Sequence, residues 1–353
     1  MEKVKVGVIG CGCIANAAHI PSYMKCDDAE IKYFCDIVKS KAEKAVEEYK
    51  CGSAIDDYRI ILNDPEIDAV SVCTPNLMHK TIAIDALRAG KHVLCEKPAA
   101  RIYSEALEMQ KVQHETGKTL NIGVVNRFAT SVNEVRRRIM SGELGEVYHV
   151  FVNFRCHRSI PGIGGAFTTK AISGGGVLID WGVHRIDLVM YCLGDPQPLA
   201  VCGKAFSKLG CDIPNYLYRG MWSEETRNVN GTYDVDDSVT AFIRTEGPII
   251  SLEGAWAQNI EPEENYIDFI GTEGGIRLVY GGGFSEYKVA SKTFISEEAK
   301  FDRGDMFLNE IQSFIHSVKT GEKIQSHIDY AILTSKIMQG IYDSSDSGKE
   351  IVF

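Results

Sequence analysis

Lys97, Asp180 and His184 are the side chains whose types and settings best suit proton handling. Lys97 lies in Cys95-Glu96-Lys97-Pro98, directly after an apolar run. A lysine at a strand end could bind, orient or help ionise a hydroxyl, because burial and neighbouring charge move its pKa readily. The alternative is a solvated Glu96–Lys97 pair. Asp180 and His184 follow Gly174-Gly175-Gly176 and stand four residues apart. On a helix that spacing puts both on one face, where a carboxylate and an imidazole can relay a proton. Three consecutive glycines are costly to order and are expected where backbone passes close to a ligand. The alternative makes Asp180 a helix cap and His184 a satisfied core histidine.

A second set of residues suits a dinucleotide. Gly10-Cys11-Gly12-Cys13-Ile14-Ala15 is a GxGxxA pattern between a strand-like run and a helical one. Gly10 permits the tight turn, Gly12 lets backbone approach a pyrophosphate, and Ala15 keeps the helix close to the sheet. The helix N-terminus, with Cys13 and Ile14, faces the phosphates. Asp36 ends the second strand-like run, 24 positions after Gly12. A carboxylate there accepts from a ribose 2′-OH and repels a 2′-phosphate, which favours NAD over NADP. The alternative is a purely structural glycine turn with a surface aspartate. Thr74-Pro75-Asn76-Leu77-Met78-His79 follows the apolar run 69–73, at the kind of strand end where open α/β sheets bind ligands. Pro75 and Asn76 fit a turn under the nicotinamide ribose; the alternative is a helix entry capped by Asn76.

The elements that must position these residues change character along the chain. Over residues 1–125, strand-like runs (4–9, 31–35, 69–73, 92–95, 119–124) alternate with helical ones (14–24, 39–50, 80–89, 104–116). That rhythm predicts βαβ units and a parallel, doubly wound NAD-binding domain. Residues 126–353 read differently. A basic helix (134–141) and a strand (146–155) precede the triple glycine and its helix. Then come short β-like runs at 199–206, 238–244, 249–258, 266–271 and 275–279, and two closing helices at 305–319 and 329–343. Successive short strands predict an antiparallel or mixed sheet in a second α+β domain. Residues 207–237 are polar, aromatic and irregular, like a long surface insertion.

Composition excludes several classes of partner. The 353 residues carry a net charge of −10, which gives no electrostatic attraction for nucleic acid or anionic lipid. No apolar run approaches the length of a membrane helix, and the N-terminus carries no recognisable leader. The eleven cysteines form no CxxC pair. We read them, Cys35, Cys73, Cys95 and Cys202 among them, as small buried hydrophobes of a reducing cytoplasm, and expect no metal site.

In this order, GxGxxA, an acidic end to strand two, TPN-x-x-H, EKP and GGG-x-x-x-D-x-G-x-H-x-x-D, the chain resembles the Gfo/Idh/MocA oxidoreductases over essentially its whole length. The likeness extends to Asn126-Arg127-Phe128, to residues 141–145 and to Val235-Asp236-Asp237-Ser238. The resemblance implies a Rossmann domain followed by an α+β domain on a large, open, mostly antiparallel sheet. It implies homodimers or homotetramers built through that sheet. It makes Lys97, Asp180 and His184 the catalytic set, with His184 the acid/base. It places Gly10, Gly12, Cys13, Ile14, Asp36, Thr74, Pro75, Asn76, His79, Glu96, Lys97 and Asn126 around NAD. His157 to Lys170 is similar to a loop in members acting on sugars and glycosides, some of which oxidise a glucoside 3-hydroxyl. Arg127, His157, Arg158 and Lys170, with Asp180 and His184, are then the substrate-binding candidates; solvent-exposed loop cations are the alternative for Arg158 and Lys170. The resemblance thus implies hydride transfer between a sugar, glycoside or polyol alcohol and NAD. An NAD-dependent glycosidase acting by transient C3 oxidation, or a non-catalytic dinucleotide sensor, would use the same frame.

Overall fold

In the computed structural model, residues 2–220, 226–261, 263–301 and 304–353 are described. Strands β1 (Val4–Ile9), β2 (Ala29–Cys35), β3 (Ser53–Ile55), β4 (Ala69–Val72), β5 (His92–Glu96) and β6 (Leu120–Gly123) form one sheet in the order β3-β2-β1-β4-β5-β6. Every pair is parallel. The central strands β1, β4, β5 and β6 are buried on both faces, as a sheet covered by helices on both sides requires. β1 stands where the strand order reverses, so the loop after it opens at the switch point of a doubly wound sheet.

The helix expected over 14–24 is not uniform. Ala15–His19 is a π turn, in which Ile20 N–H bonds Ala15 O, and Ile20–Met24 continues as α-helix. Pro21 supplies the cause: it offers no N–H and crowds the preceding turn, so the helix widens there. The widened turn leaves His19 buried.

The expected division at residue 125 needs correction. One compact unit comprises 1–128 with 305–332; the other comprises 129–304 with 333–353. Helix Met306–Thr320 therefore belongs with the first sheet, and its Ile311, Phe314 and Ile315 share a core with Val6, Val8, Ile20 and Phe34. Ile122 N–H also bonds Ser326 O at 2.9 Å. Nothing local in a helix pattern says which of two sheets its apolar face will cover.

The second unit holds a nine-stranded sheet. Its strands are β7 (Val147–Arg155), β8 (Pro198–Phe206), β9 (Ser238–Thr245), β10 (Ile249–Ala255), β11 (Glu264–Gly271), β12 (Gly274–Val279), β13 (Phe284–Ala290), β14 (Thr293–Glu298) and β15 (Ile351–Val352). The order is β14-β13-β12-β11-β7-β10-β9-β8-β15. Only β7 and β10 run parallel among these pairs. Val150, Val152 and Phe154 of β7 face a core shared with helix Val183–Cys192 through Ile186, Val189 and Met190. Phe151 and Phe242 point the other way and are exposed. The β13–β14 hairpin and the short β3 and β15 were not expected. Cys202 is exposed rather than buried. It shares the open face with Phe242, its partner across β8 and β9. Residues 221–225 of the expected insertion lie outside the described residues. The rest of it sends Ile213, Tyr216, Leu209 and Tyr233 into or against the core. Among the described residues no helix is long and apolar enough to cross a membrane.

Candidate active site

The dinucleotide cradle is built from the β1 loop. Gly10 has φ +96°, and a Cβ there would sit 2.5 Å from Cys73 O. Only glycine fits both conditions. Gly12 has nothing within 4 Å of where its Cβ would be, so open space remains beside the backbone there. Asn16 folds back on this loop, its side-chain amide donating to Cys11 O and Gly12 O. Asp36 closes the loop from β2: Oδ2 accepts from Cys11 N–H at 3.0 Å and Oδ1 from Val38 N–H at 2.9 Å. Cys11 and Cys35 flank it as neutral thiols, each pushed up to about 12 by burial and then by the Asp36 charge. Thr74, just after β4, has a buried hydroxyl oxygen with no hydrogen-bond partner among the described residues. An open glycine cradle, an acidic strand end and an unsatisfied hydroxyl together fit a bound dinucleotide.

Two turns flank this cradle. Asn76 opens helix Asn76–Arg88, with exposed Pro75 as the residue before it. The second turn leaves β5 through Glu96, half-buried Lys97 and Pro98, joined by a cis Lys97–Pro98 bond. Several residues expected at the ligand also make contacts within the chain. His79 is buried, with Nδ1 2.8 Å from Pro98 O and Nε2 2.9 Å from Thr74 O. The Glu96 carboxylate is buried too, with Oε1 2.8 Å from His19 Nε2 and Oε2 accepting from Lys97 N–H. Burial pushes the Glu96 pKa up, but His19 and Lys97 overcome it and hold the group lowered and ionised. Arg127 is 0% exposed, and its guanidinium donates to Gln325 O at 2.9 Å. That bond makes it a structural anchor of the first unit. Asn126 is buried beside it. His19 was missed because one histidine in a helical run carries no signal until its partner, far along the chain, is known.

In the second unit the triple glycine has three separate causes. Gly174 has φ +89° and ends helix Lys170–Ser173. A Cβ at Gly175 would lie 2.1 Å from the Tyr342 hydroxyl, and one at Gly176 would lie 1.9 Å from Asp236 O. The close neighbours are thus protein groups, not the ligand expected from the sequence. Asp236 is the hub. Its Oδ1 accepts from Gly176 N–H (2.8 Å) and the Tyr342 hydroxyl (2.7 Å), and its Oδ2 accepts from Leu178 N–H (2.9 Å). The adjacent Asp237 accepts from Lys208, Leu209 and Gly210 N–H and so ties down the start of the insertion. Asp236 and Asp237 were legible only as part of the resemblance.

This hub fixes the start of the π turn Leu178–Gly182, which carries buried Asp180 and leads into helix Val183–Cys192 with half-buried His184. Beneath them Arg185 is buried between rings, 3.7 Å from the Tyr280 centroid, and donates to Trp181 O. Tyr280 also lies beside His184, centroid to centroid 6.4 Å. A cation near Asp180 and an aromatic ring near His184 give that segment a defined, partly desolvated setting in which proton transfer can be tuned. The loop candidates diverge. Arg158 spends NH1 on His157 O and Gln258 O and NH2 on Asn259, so it clamps the loop. Lys170 is exposed, its Nζ 5.7 Å from the Tyr342 ring centroid. His157 is half-buried, and its backbone N–H is held by Glu263.

Comparison with known proteins agrees with this construction. Residues 4–124 match the family described as "Oxidoreductase family, NAD-binding Rossmann fold", and residues 132–277 match the "GFO/IDH/MocA C-terminal domain". The chain is similar to the D-glucoside 3-dehydrogenase of Escherichia coli (strain K12), 30% identical over 99% of this chain and 97% of that one. It is similar to the levoglucosan dehydrogenase of Pseudarthrobacter phenanthrenivorans, 28% identical over 79% and 74% of the two chains. A levoglucosan dehydrogenase structure in complex with NADH and levoglucosan shares the fold, with TM-score 0.84, 22% identity and 99% of each chain covered.

Proposed function

The chain belongs to the Gfo/Idh/MocA oxidoreductases, and from that premise we propose that it oxidises a secondary alcohol of a sugar, glycoside or polyol with NAD⁺, the glucoside 3-hydroxyl first among candidates. One observation carries the reading. A chain similar along its whole length to a glucoside 3-dehydrogenase carries an open glycine cradle and a lysine at a held strand end in one unit and a hub-fixed Asp180–His184 segment in the other.

The bound nicotinamide supplies the hydride acceptor; the residues supply position and proton handling. His184 takes the hydroxyl proton as the carbinol C–H is lost, leaving a ketone. Asp180 orients that hydroxyl and supports the imidazole. The Lys97 ammonium stabilises the oxygen as negative charge develops on it, a term that weighs heavily in catalysis. Asp36 supports NAD over NADP, since a 2′-phosphate would meet a carboxylate already holding the loop amide of Cys11. Exposed Phe151 and Phe242, aligned through Ser251 across β7, β10 and β9, support a homo-oligomer formed through the open sheet face. We place the protein in the cytoplasm on its NAD chemistry and its free thiols.

The test is incubation of purified protein and NAD⁺ with a panel of glucosides, inositols and free sugars, following NADH and identifying products. A 3-oxo-glucoside is expected. Free aglycone would identify a glycosidase instead, and no oxidation across the panel, with normal dinucleotide binding, would sink the reading. Lys97→Ala should abolish turnover while dinucleotide binding persists.

A further inference from the structure

Lys97 is held from both sides by buried histidines that have no part in the proton chemistry above. On one side, His19 Nε2 meets Glu96 Oε1 at 2.8 Å, and Glu96 Oε2 accepts from the Lys97 backbone N–H at 3.1 Å. The far edge of the His19 ring rests on Ser71 Oγ at 3.3 Å, and Ser71 is itself bonded by the Tyr23 hydroxyl at 2.8 Å. On the other side, His79 Nδ1 meets the carbonyl of Pro98 at 2.8 Å, and its Nε2 meets that of Thr74 at 2.9 Å. One ring thus acts on the residue before Lys97 and the other on the residue after it. His79 thus lies between the 74–76 turn and the 96–98 turn.

Both rings are almost fully buried, 2% and 1% exposed. Polar rings at such depth cost free energy unless they are engaged. Their engagement is with one short turn. Lysine has a flexible stem, so the position of its backbone fixes the volume its ammonium can reach. A small misplacement of a reacting group carries a large rate cost.

We propose that His19 and His79 are positioning residues for Lys97, acting through the Glu96 carboxylate and the Pro98 carbonyl. The proposal rests on the alcohol oxidation assigned above for its kinetic consequence only. Neither ring touches substrate. Each sets where the lysine starts: a neutral His79 has one N–H, here assigned to Nδ1 and given to the Pro98 carbonyl, with Nε2 beside the Thr74 carbonyl.

Amide substitutions separate the two ring nitrogens. An asparagine amide nitrogen reaches about where Nδ1 sits, and a glutamine amide nitrogen about where Nε2 sits. His19→Gln keeps a donor to Glu96, and His19→Asn removes it. His79→Asn keeps a donor to Pro98, and His79→Gln removes it. The full-length variants are assayed with methyl glucoside and NAD⁺, and the backbone amide exchange of residues 95–99 is followed in the same proteins. His19→Asn and His79→Gln should lose about tenfold or more in kcat, the scale of one lost buried hydrogen bond, and should exchange faster. His19→Gln and His79→Asn should stay within about threefold of the parent in both measurements.

This crossed pattern, Gln tolerated at one site and Asn at the other, is not expected of rings that only fill space. Equal behaviour of all four variants, or the opposite ranking, overturns the proposal. Faster exchange with unchanged kcat overturns the link to Lys97 chemistry. If the parent oxidises no sugar, the functional assignment fails separately, and amide exchange still decides whether the histidines hold the turn.

Discussion

Replacing Asp236 with Ala should cost the second unit much of its stability and the enzyme most of its turnover. Asp236 is 6% exposed and takes three hydrogen bonds, from Gly176 N–H, Leu178 N–H and the Tyr342 hydroxyl. Alanine leaves all three donors buried without that acceptor. An orphaned buried donor costs about 1–3 kcal/mol, so incomplete additivity puts the total at about 3–6 kcal/mol. For a domain of this size that corresponds to a fall in Tm of about 10–20 °C. Burial raises the Asp236 carboxyl above its usual value, against the pull of its donors. The linkage sign follows: stability from this group is full below the unfolded pKa and is lost as pH rises through the folded one. Asp236→Asn keeps an acceptor in place but turns an NH₂ towards one donor, so its loss should be smaller, about 1–3 kcal/mol. Calorimetry of both variants, with kcat measured well below the melt, tests this. Turnover should fall at a temperature where the protein remains folded, because the Leu178 amide starts the turn carrying Asp180. A Tm within about 3 °C of the parent for Asp236→Ala would refute the hub.

Four further outcomes are expected. Asp36→Ala should weaken NAD and narrow its advantage over NADP by about tenfold or more, read as a ratio of kcat/KM values; an unchanged ratio would remove Asp36 from the ribose. Phe151→Glu with Phe242→Glu should shift the protein to smaller species in light scattering, and an unchanged mass would place any association elsewhere. Burial pulls the His19 pKa down, but Cys73 and Glu96 outweigh it and push it up to about 10. Stability from the protonated ring is then complete below pH 6.5 and lost towards about 10, so Tm should fall across that window in the parent and less in His19→Gln. Ser291→Asn with Lys292→Gly should raise stability by about 1 kcal/mol, since both residues now hold positive φ, at 51° and 64°.

The last of these shows why part of the second sheet was illegible. β13 and β14 pair from Ala290–Thr293 outwards, joined by Ser291-Lys292 in left-handed conformation. Sequence signals for such a turn are Asn-Gly or Asp-Gly, and neither is present. The strands lie near one edge of the sheet, so Lys288, Glu297 and Glu298 can be exposed, and no apolar alternation marks them. The Rossmann strands other than β3 were legible for the opposite reason. Burial on both faces makes β1, β4, β5 and β6 largely apolar runs.

The glycines themselves divide along the same line. Gly10 was read as the tight-turn glycine and has the positive φ that a turn needs, because a turn at a strand end is a local event that a short pattern encodes. Gly175 and Gly176 were read as room for a ligand, and they are room for Tyr342 and Asp236. The excluded volume is real in both cases, but its occupant stands 60 or more residues away. His19 and Glu96 repeat the lesson, 77 positions apart yet in contact at 2.8 Å. Residue type and spacing reveal where chemistry can be done. The groups that hold it in place are long-range partners, and their identity emerges only once β1, β4 and β5 have been laid side by side.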